Sequence, residues 1–286
     1  MTGQETEVID LRYDGRPGIL GAWICGDVLI DCGPSACFEQ LLEGLAGRTP
    51  RRLLLTHIHF DHAGAAGALL QRWPELEVYV HPVGAPHLTD PSRLLRSARR
   101  VFGDSFERLV GDVVAVPAER LHVIEDGERI GRFESAWTPG HASHHIAYLE
   151  RDTGVAFPGD VAGVRLSRGP VFPPTPPPDI DLRAWRRSLR VLADWRPERL
   201  ALPHYGSIGD VEAHLAELAE ALDRHERWAA EGEEAFVARL AEHLRARIPA
   251  ETAEAYEFIA LARPSAAGLR RWIEQRRAGD AASGAA

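Results

Sequence analysis

The sequence predicts an α/β chain, and three observations carry that prediction. Short apolar runs bounded by turn residues alternate with segments of helical period over roughly the first two hundred residues. A histidine-rich cluster at 57–62 sits between one such run and the helix after it. From about Asp210 onward the pattern is helical throughout.

The N-terminal third opens with strand candidates at 7–13, 19–25 and 28–31, with Gly26-Asp27 as a hairpin turn between the last two. A helix is expected over 35–45, then a buried strand at 52–55. Residues 64–73 read as a helix ended by Pro74, and 76–80 as the next strand. In the stretch 91–110, Leu94, Leu95, Ala98, Val101, Phe102, Phe106 and Leu109 are interleaved with five arginines. That spacing suits one or two amphipathic helices, which either cover the sheet or form a lid. Strands return at 132–138, 145–149 and 155–157. The run GPVFPPTPPP at 169–178 excludes helix and central strand and would make a stiff loop near any site that follows Phe157. Asp181 is placed to cap a helix whose Leu182, Trp185, Leu189 and Leu192 share one face.

Four further helices are expected at 211–229, 233–247, 252–262 and 266–277, punctuated by Pro249 and Pro264, with disorder over 279–286. The chain therefore divides into an α/β unit at 1–209 and a helical extension at 210–286. The extension carries 15 acidic residues against 10 arginines, so it is not a basic tail.

Composition narrows the partners. A net charge of −9 repels phosphate backbones, which argues against nucleic acid. No apolar run approaches a membrane span, so no membrane partner is expected. The N-terminus lacks the basic start and apolar core of a signal peptide. Cys25, Cys32 and Cys37 are too few for a disulfide framework, and read as free thiols of a cytoplasmic protein. A small molecule is the expected substrate, and a homo-oligomer stays open.

The chemistry is concentrated in Thr56-His57-Ile58-His59-Phe60-Asp61-His62-Ala63-Gly64. It puts three imidazoles and a carboxylate into six positions at a strand-to-helix turn. These are the borderline nitrogen and oxygen donors that zinc and iron prefer. Three more donors each follow an apolar strand. They are His141 in TPGH, Asp160 in PGD and His204 in PHYG. The glycines there permit tight turns and close backbone approach.

With these pieces in order, the chain resembles the metallo-β-lactamase-fold superfamily, and within it the glyoxalase II-like and lactonase-like hydrolases. THIHFDHAG at 56–64, TPGH at 138–141, PGD at 158–160 and PH at 203–204 carry the resemblance, over roughly residues 5 to 209. It implies a four-layer αβ/βα sandwich with metals at one sheet edge. It also implies that His57, His59 and His141 hold one divalent ion, that Asp61, His62 and His204 hold a second, and that Asp160 bridges them. Zinc is the expected metal, with iron or manganese as the other choices.

Two cations sharing a carboxylate can share and acidify a water, which supplies hydroxide near neutral pH to attack an ester, lactone or thioester carbonyl. Asp61 is expected to serve as ligand and proton shuttle. Tyr205 either donates to the developing oxyanion or packs as an apolar ring. The motif after His62 is Ala-Gly-Ala rather than the Gly-Gly usual in glyoxalase II, which points toward lactones. Two other classes are open. One is a mononuclear iron persulfide dioxygenase using His57, His141 and Asp160, and the other a non-catalytic metal-binding module. Of the remaining histidines, His144 and His145 are expected on opposite strand faces, His81 and His87 near the entrance, and His122, His214, His225 and His243 at the surface. Leu95, Phe102, Phe106, Val171 and Phe172 are expected to line that entrance.

Overall fold

A computed structural model describes the backbone of residues 6–283 and side chains as far as Asp280. Strands β1 (Thr6–Asp10), β2 (Gly21–Cys25) and β3 (Val28–Ile30) form an antiparallel meander, followed by helix α1 (Phe38–Leu45). Strand β4 (Arg52–Leu54), helices α2 (Phe60–Ala63) and α3 (Ala66–Arg72), and β5 (Glu77–Val80) come next. Helices α4 (Ala85–Thr89), α5 (Ser92–Phe102) and α6 (Phe106–Leu109) precede β6 (Leu121–Val123). The second half holds β7 (Arg129–Ile130), β8 (Phe133–Trp137), β9 (Ile146–Glu150) and β10 (Val155–Phe157), then α7 (Leu182–Trp195), β11 (Arg199–Leu202) and β12 (Gly206–Ile208). Helices α8 (Val211–Glu231), α9 (Glu233–Arg245), α10 (Ala250–Ala260) and α11 (Ala262–Ser283) complete the chain.

The strands form two six-stranded sheets, ordered β1-β2-β3-β4-β5-β6 and β12-β11-β10-β9-β8-β7. Side-chain alternation explains why they stack. In β2, Trp23 and Cys25 face the space between the sheets, whereas Ala22 and Ile24 face the outer helices. The second sheet repeats this: Ile146, Tyr148, Val155 and Phe157 point inward, and Ala147, Leu149 and Ala156 outward. Both faces of each sheet are apolar, so each must be covered. One outer face is covered by α1 and α3, the other by α7 and the C-terminal helices. The result is the four-layer αβ/βα sandwich that the resemblance implies.

The C-terminal helices share one core with the second sheet. Tyr256 of α10 and Trp272 of α11 lie in the same cluster as Leu200 and Leu202 of β11. Two expectations for this region change. His214 and His225 are buried among those helices, not at the surface. Residues 279–283 belong to α11 rather than to a disordered tail, and 284–286 lie outside the described residues. Here the amphipathic helices had core to cover on more than one side. Among the described residues no helix is long and apolar enough to cross a membrane.

Candidate metal centre

All seven expected donors leave from one edge of the sandwich. Parallel pairing of β3 with β4 puts Asp31 and the 57–62 turn side by side. In the other sheet β8 and β10 both run antiparallel to β9, and β10 is parallel to β11. The loops carrying His141, Asp160 and His204 therefore open on the same edge. Backbone bonds lock the two edges together: Ile146 donates to Thr56 O (2.7 Å) and Gly21 donates to Pro203 O (2.9 Å).

Two glycines are needed for this approach. Gly159 has φ +52°, and a Cβ there would lie 2.6 Å from His145 Nε2 and 2.8 Å from Thr56 Oγ1. Gly140, at φ +145°, lies so close to α7 that a Cβ would sit 2.4 Å from Trp185 Cα.

The structure gathers the donors into overlapping groups. His57, His59 and His141 form one; Asp61, His62 and His204 form another; His57, His62 and Asp160 link them, each group within 4.8 Å. Asp160 faces both sides. Its Oδ2 lies 3.5 Å from His141 Nε2, and its Oδ1 lies 3.4 Å from His62 Nε2 and 3.6 Å from His204 Nε2. Asp61 Oδ2 lies 3.7 Å from His62 Nε2 and 3.5 Å from His204 Nε2.

The hydrogen-bond pattern fixes the tautomers. His141 Nδ1 donates to Pro174 O (2.8 Å), His204 Nδ1 to Ile19 O (3.0 Å) and His62 Nδ1 to Asp31 Oδ2 (2.9 Å). Thr56 Oγ1 donates to Asp31 Oδ2 (2.8 Å), so it accepts from His57 Nδ1 (3.1 Å). With Nδ1 engaged in each case, every one of these rings turns its Nε2 toward the cluster. His59 Nδ1 lies 3.0 Å from both His57 Nε2 and His141 Nε2. One proton can serve only one of those contacts, so three nitrogens converge with more lone pairs than protons. His62 Nε2 and Asp160 Oδ1 are buried with no hydrogen-bond partner. Converging lone pairs and orphaned buried acceptors suit divalent cations.

The electrostatics agree. Burial, then the neighbouring His62, holds His57 well below the usual histidine range, and burial with His141 lowers His59 to about 4. Burial alone would raise Asp61 and Asp160, but the adjacent histidines hold both carboxyls below their usual range. Burial alone would lower His62 and His204, but the carboxylates of Asp160 and Asp61 outweigh it and raise both. The buried carboxylates thus draw positive charge into the cluster, which divalent cations would supply.

Beyond the seven, Asp31 emerges as the organiser that sequence reasoning missed. At φ +55° immediately after β3, it accepts from Thr56 N, Thr56 Oγ1 and His62 Nδ1. The available signal was an acid at the end of an apolar strand, followed by Cys-Gly. His144 and His145 are both buried: His145 Nδ1 meets Thr138 Oγ1 (2.8 Å), and His144 Nδ1 accepts from Ile58 N (3.4 Å).

A cavity of about 390 Å³ opens over the cluster. Helix α5 forms one wall through Leu94, Ala98, Val101 and Phe102, and Pro174 and Pro176–Pro178 of the proline loop form another. Several expectations for the entrance shift. Val171 and Phe172 are core residues against the C-terminal helices, because Phe172 pairs its backbone with Val164 and is drawn inward. Leu95 of α5 and Phe106 of α6 pack with Ala98 and Val110 rather than lining the cavity, and Phe102 does line it. His87 lines it too, while His81 rests on Trp137 at 4.5 Å. Tyr205 is not among the lining residues. Its ring packs toward Gly18 and Gly21, and burial pushes its hydroxyl up to about 12, so the apolar-ring alternative describes its placement. From the C-terminal extension, Ile259, Ala260, Leu261 and Ser265 reach the cavity wall, which no sequence pattern announced.

Comparisons with known proteins agree with this geometry. Residues 26–204 match the family model described as the metallo-beta-lactamase superfamily. The chain is 31% identical over 209 residues to the metallo-beta-lactamase fold-containing protein ST1585 of Sulfurisphaera tokodaii, covering 68% of this chain and 76% of that protein. It is 38% identical over 119 residues to the probable metallo-hydrolase YqgX of Bacillus subtilis, covering 40% and 51%. To a hydroxyacylglutathione hydrolase of Xylella fastidiosa it is 34% identical over 149 residues, covering 52% and 45%. The chain thus spans about half the length of these last two relatives. Among solved structures, a metallo-beta-lactamase family protein of Thermus thermophilus, TTHA1429, superposes with a TM-score of 0.66 at 22% identity over 96% of this chain and 94% of that one, a likeness of fold. A sandwich with these donors at its edge, matched by the family model over most of its length, places the chain in the metallo-beta-lactamase superfamily.

Proposed function

We propose that the chain is a dinuclear hydrolase of esters, lactones or thioesters. His57, His59 and His141 would hold one ion, Asp61, His62 and His204 a second, with Asp160 between them. One observation carries this reading: the two oxygens of Asp160 face the two donor groups separately, Oδ2 toward His141 and Oδ1 toward His62 and His204. When bound, such ions supply Lewis acidity and an acidified water.

The protein's own part is to position and to move protons. Asp61 Oδ2 faces His62 and His204, which leaves Oδ1 free to take a proton at the edge of the cavity. The mostly apolar walls exclude water and receive the arm of the substrate. Residues 1–209 carry all seven donors, and the extension at 210–286 completes the cavity wall. Relatives named hydroxyacylglutathione hydrolases support a thioester, and the apolar lining supports an acyl arm.

Zinc is the favoured metal. A di-iron-bound structure of TTHA1623, 29% identical over 68% of this chain with a TM-score of 0.53, gives iron support as well. The mononuclear dioxygenase alternative leaves Asp61, His62 and His204 clustered without a task. Elemental analysis of protein purified without chelator tests the proposal. Two ions per chain, with metal-dependent hydrolysis of a nitrophenyl ester, are expected; a single iron and no second ion would overturn it.

A further inference from the structure

We propose that the cavity selects substrates whose far end carries an anionic group, a carboxylate or a phosphate, and that Arg93 is the residue that reads it. This rests on the hydrolase reading above. Three charged residues of the lining are carboxylates: Asp61 and Asp160 beside the donor cluster, and Asp179. Asp179 is already engaged, accepting from Ser143 Oγ at 2.6 Å. Arg93 is the lone guanidinium among the described lining residues.

Of the five arginines at 91–110, Arg93 alone both lines the cavity and lacks a partner among the described residues. Arg99 pairs with Glu107 at 2.8 Å and lies over the Phe106 ring at 4.1 Å. Arg108 pairs with Asp14, and Arg96 acts on Asp90. Arg93 is exposed and makes no hydrogen bond or ion pair among the described residues. It sits in the first turn of α5, where the helix dipole also favours an anion.

Placement gives that charge a use. Five of the seven donors are buried and Arg93 is exposed, so the cluster and Arg93 mark the floor and the rim of one cavity. Apolar side chains such as Leu94, Ala98, Phe102 and Leu261 lie along the walls. A substrate with its carbonyl at the floor and an apolar arm along the walls would present its far end to the rim. A guanidinium offers five donors and no acceptor, in a fork that matches carboxylate or phosphate. With the chain at net −9, the distant field repels anions, so Arg93 must act at short range, within about 8 Å at physiological salt.

The test uses metal-loaded full-length protein as wild type, Arg93→Gln and Arg93→Lys. Substrates are the mono-(4-nitrophenyl) esters of adipic and suberic acids, with their methyl-capped neutral counterparts. Wild type is expected to favour the free acids in kcat/KM by about fivefold, the size of one rim charge contact. Arg93→Gln should abolish that preference through KM with kcat and the neutral esters unchanged, and Arg93→Lys should restore part of it. Equal wild-type kcat/KM for both, or an equal loss on both in Arg93→Gln, overturns the proposal. If wild type hydrolyses none of them, the hydrolase reading fails, and calorimetry with monomethyl adipate against dimethyl adipate still reads the anion site. Anion-selective binding that Arg93→Gln removes supports the site, and equal binding of the two probes overturns it.

Discussion

Asp31 illustrates how one side chain can set the state of several others. It accepts three hydrogen bonds from Thr56 and His62 and thereby aims His62 Nε2 and, through Thr56, His57 Nε2 at the cluster. In Asp31→Asn the amide could keep the Thr56 N–H, but its NH₂ would face the donors Thr56 Oγ1 and His62 Nδ1. Metal affinity is expected to fall about ten- to a hundredfold, as for other partners that orient ligands, with the fold retained. Metal content after dialysis against graded chelator, beside circular dichroism, checks this. Asp61→Asn separates two roles, because asparagine offers an oxygen but takes no proton. Turnover of a nitrophenyl ester is expected to fall by about 10²–10⁴ with secondary structure intact. Wild-type turnover would show that Asp61 is neither shuttle nor essential ligand.

At the scale of elements, the loop that follows Asp160 is held by the C-terminal helices. Tyr256 Oη of α10 accepts from Leu166 N (3.0 Å) and donates to Pro170 O (2.7 Å). Thr175 in the same loop bonds Ser265 of α11 through its Oγ1 at 3.1 Å. Pro174 O in turn receives His141 Nδ1. A chain of contacts therefore runs from the extension, through the proline loop, to a candidate ligand. Tyr256→Phe would leave a buried N–H and a buried carbonyl unpaired, which costs about 1–3 kcal/mol. Chemical denaturation should report that loss. Hydrogen exchange should speed up across 165–172 before it does in the strands.

For the whole molecule, the large shared core adds a source of acid sensitivity in the C-terminal helices, apart from the histidines of the donor cluster. His225 is buried against Phe172, Trp228 and Phe236. Burial, then Arg224 and His243, holds its folded-state value well below the ordinary histidine range. The unfolded chain then binds the proton that the folded chain refuses. Stability is fully present above the unfolded value of about 6.5 and falls as the pH drops below it, by up to about 1.4 kcal/mol per pH unit for this one group. His225→Phe should flatten the difference in denaturation midpoint between pH 7.5 and pH 5 relative to wild type. An unchanged pH slope would remove His225 as the source.

The local chemistry and the mixed α/β class are legible in the sequence alone, whereas the four layers followed from the family resemblance. THIHFDHAG, TPGH, PGD and PH each lie in a turn after an apolar strand, and the spacing of donor types can be read without coordinates. Continuous apolar runs in β2, β3, β9 and β10 suit strands buried on both faces, and the periodic face of α7, Leu182, Trp185, Leu189 and Leu192, marks a covering helix. The tertiary structure decided what depends on partners distant in sequence. Asp31 gained its role only when β3 paired with β4 beside His62. Tyr205 turned toward β2, Phe172 was drawn under α8, and His214 and His225 became core residues because helices stacked on both their sides. Leu261 reached the cavity from a helix pair that, in sequence, reads as an appendage. The physical reason is one of range. Backbone propensity, period and donor type act over a few residues, whereas burial, tautomer and cavity shape are set by whatever else the folded chain brings to the same place.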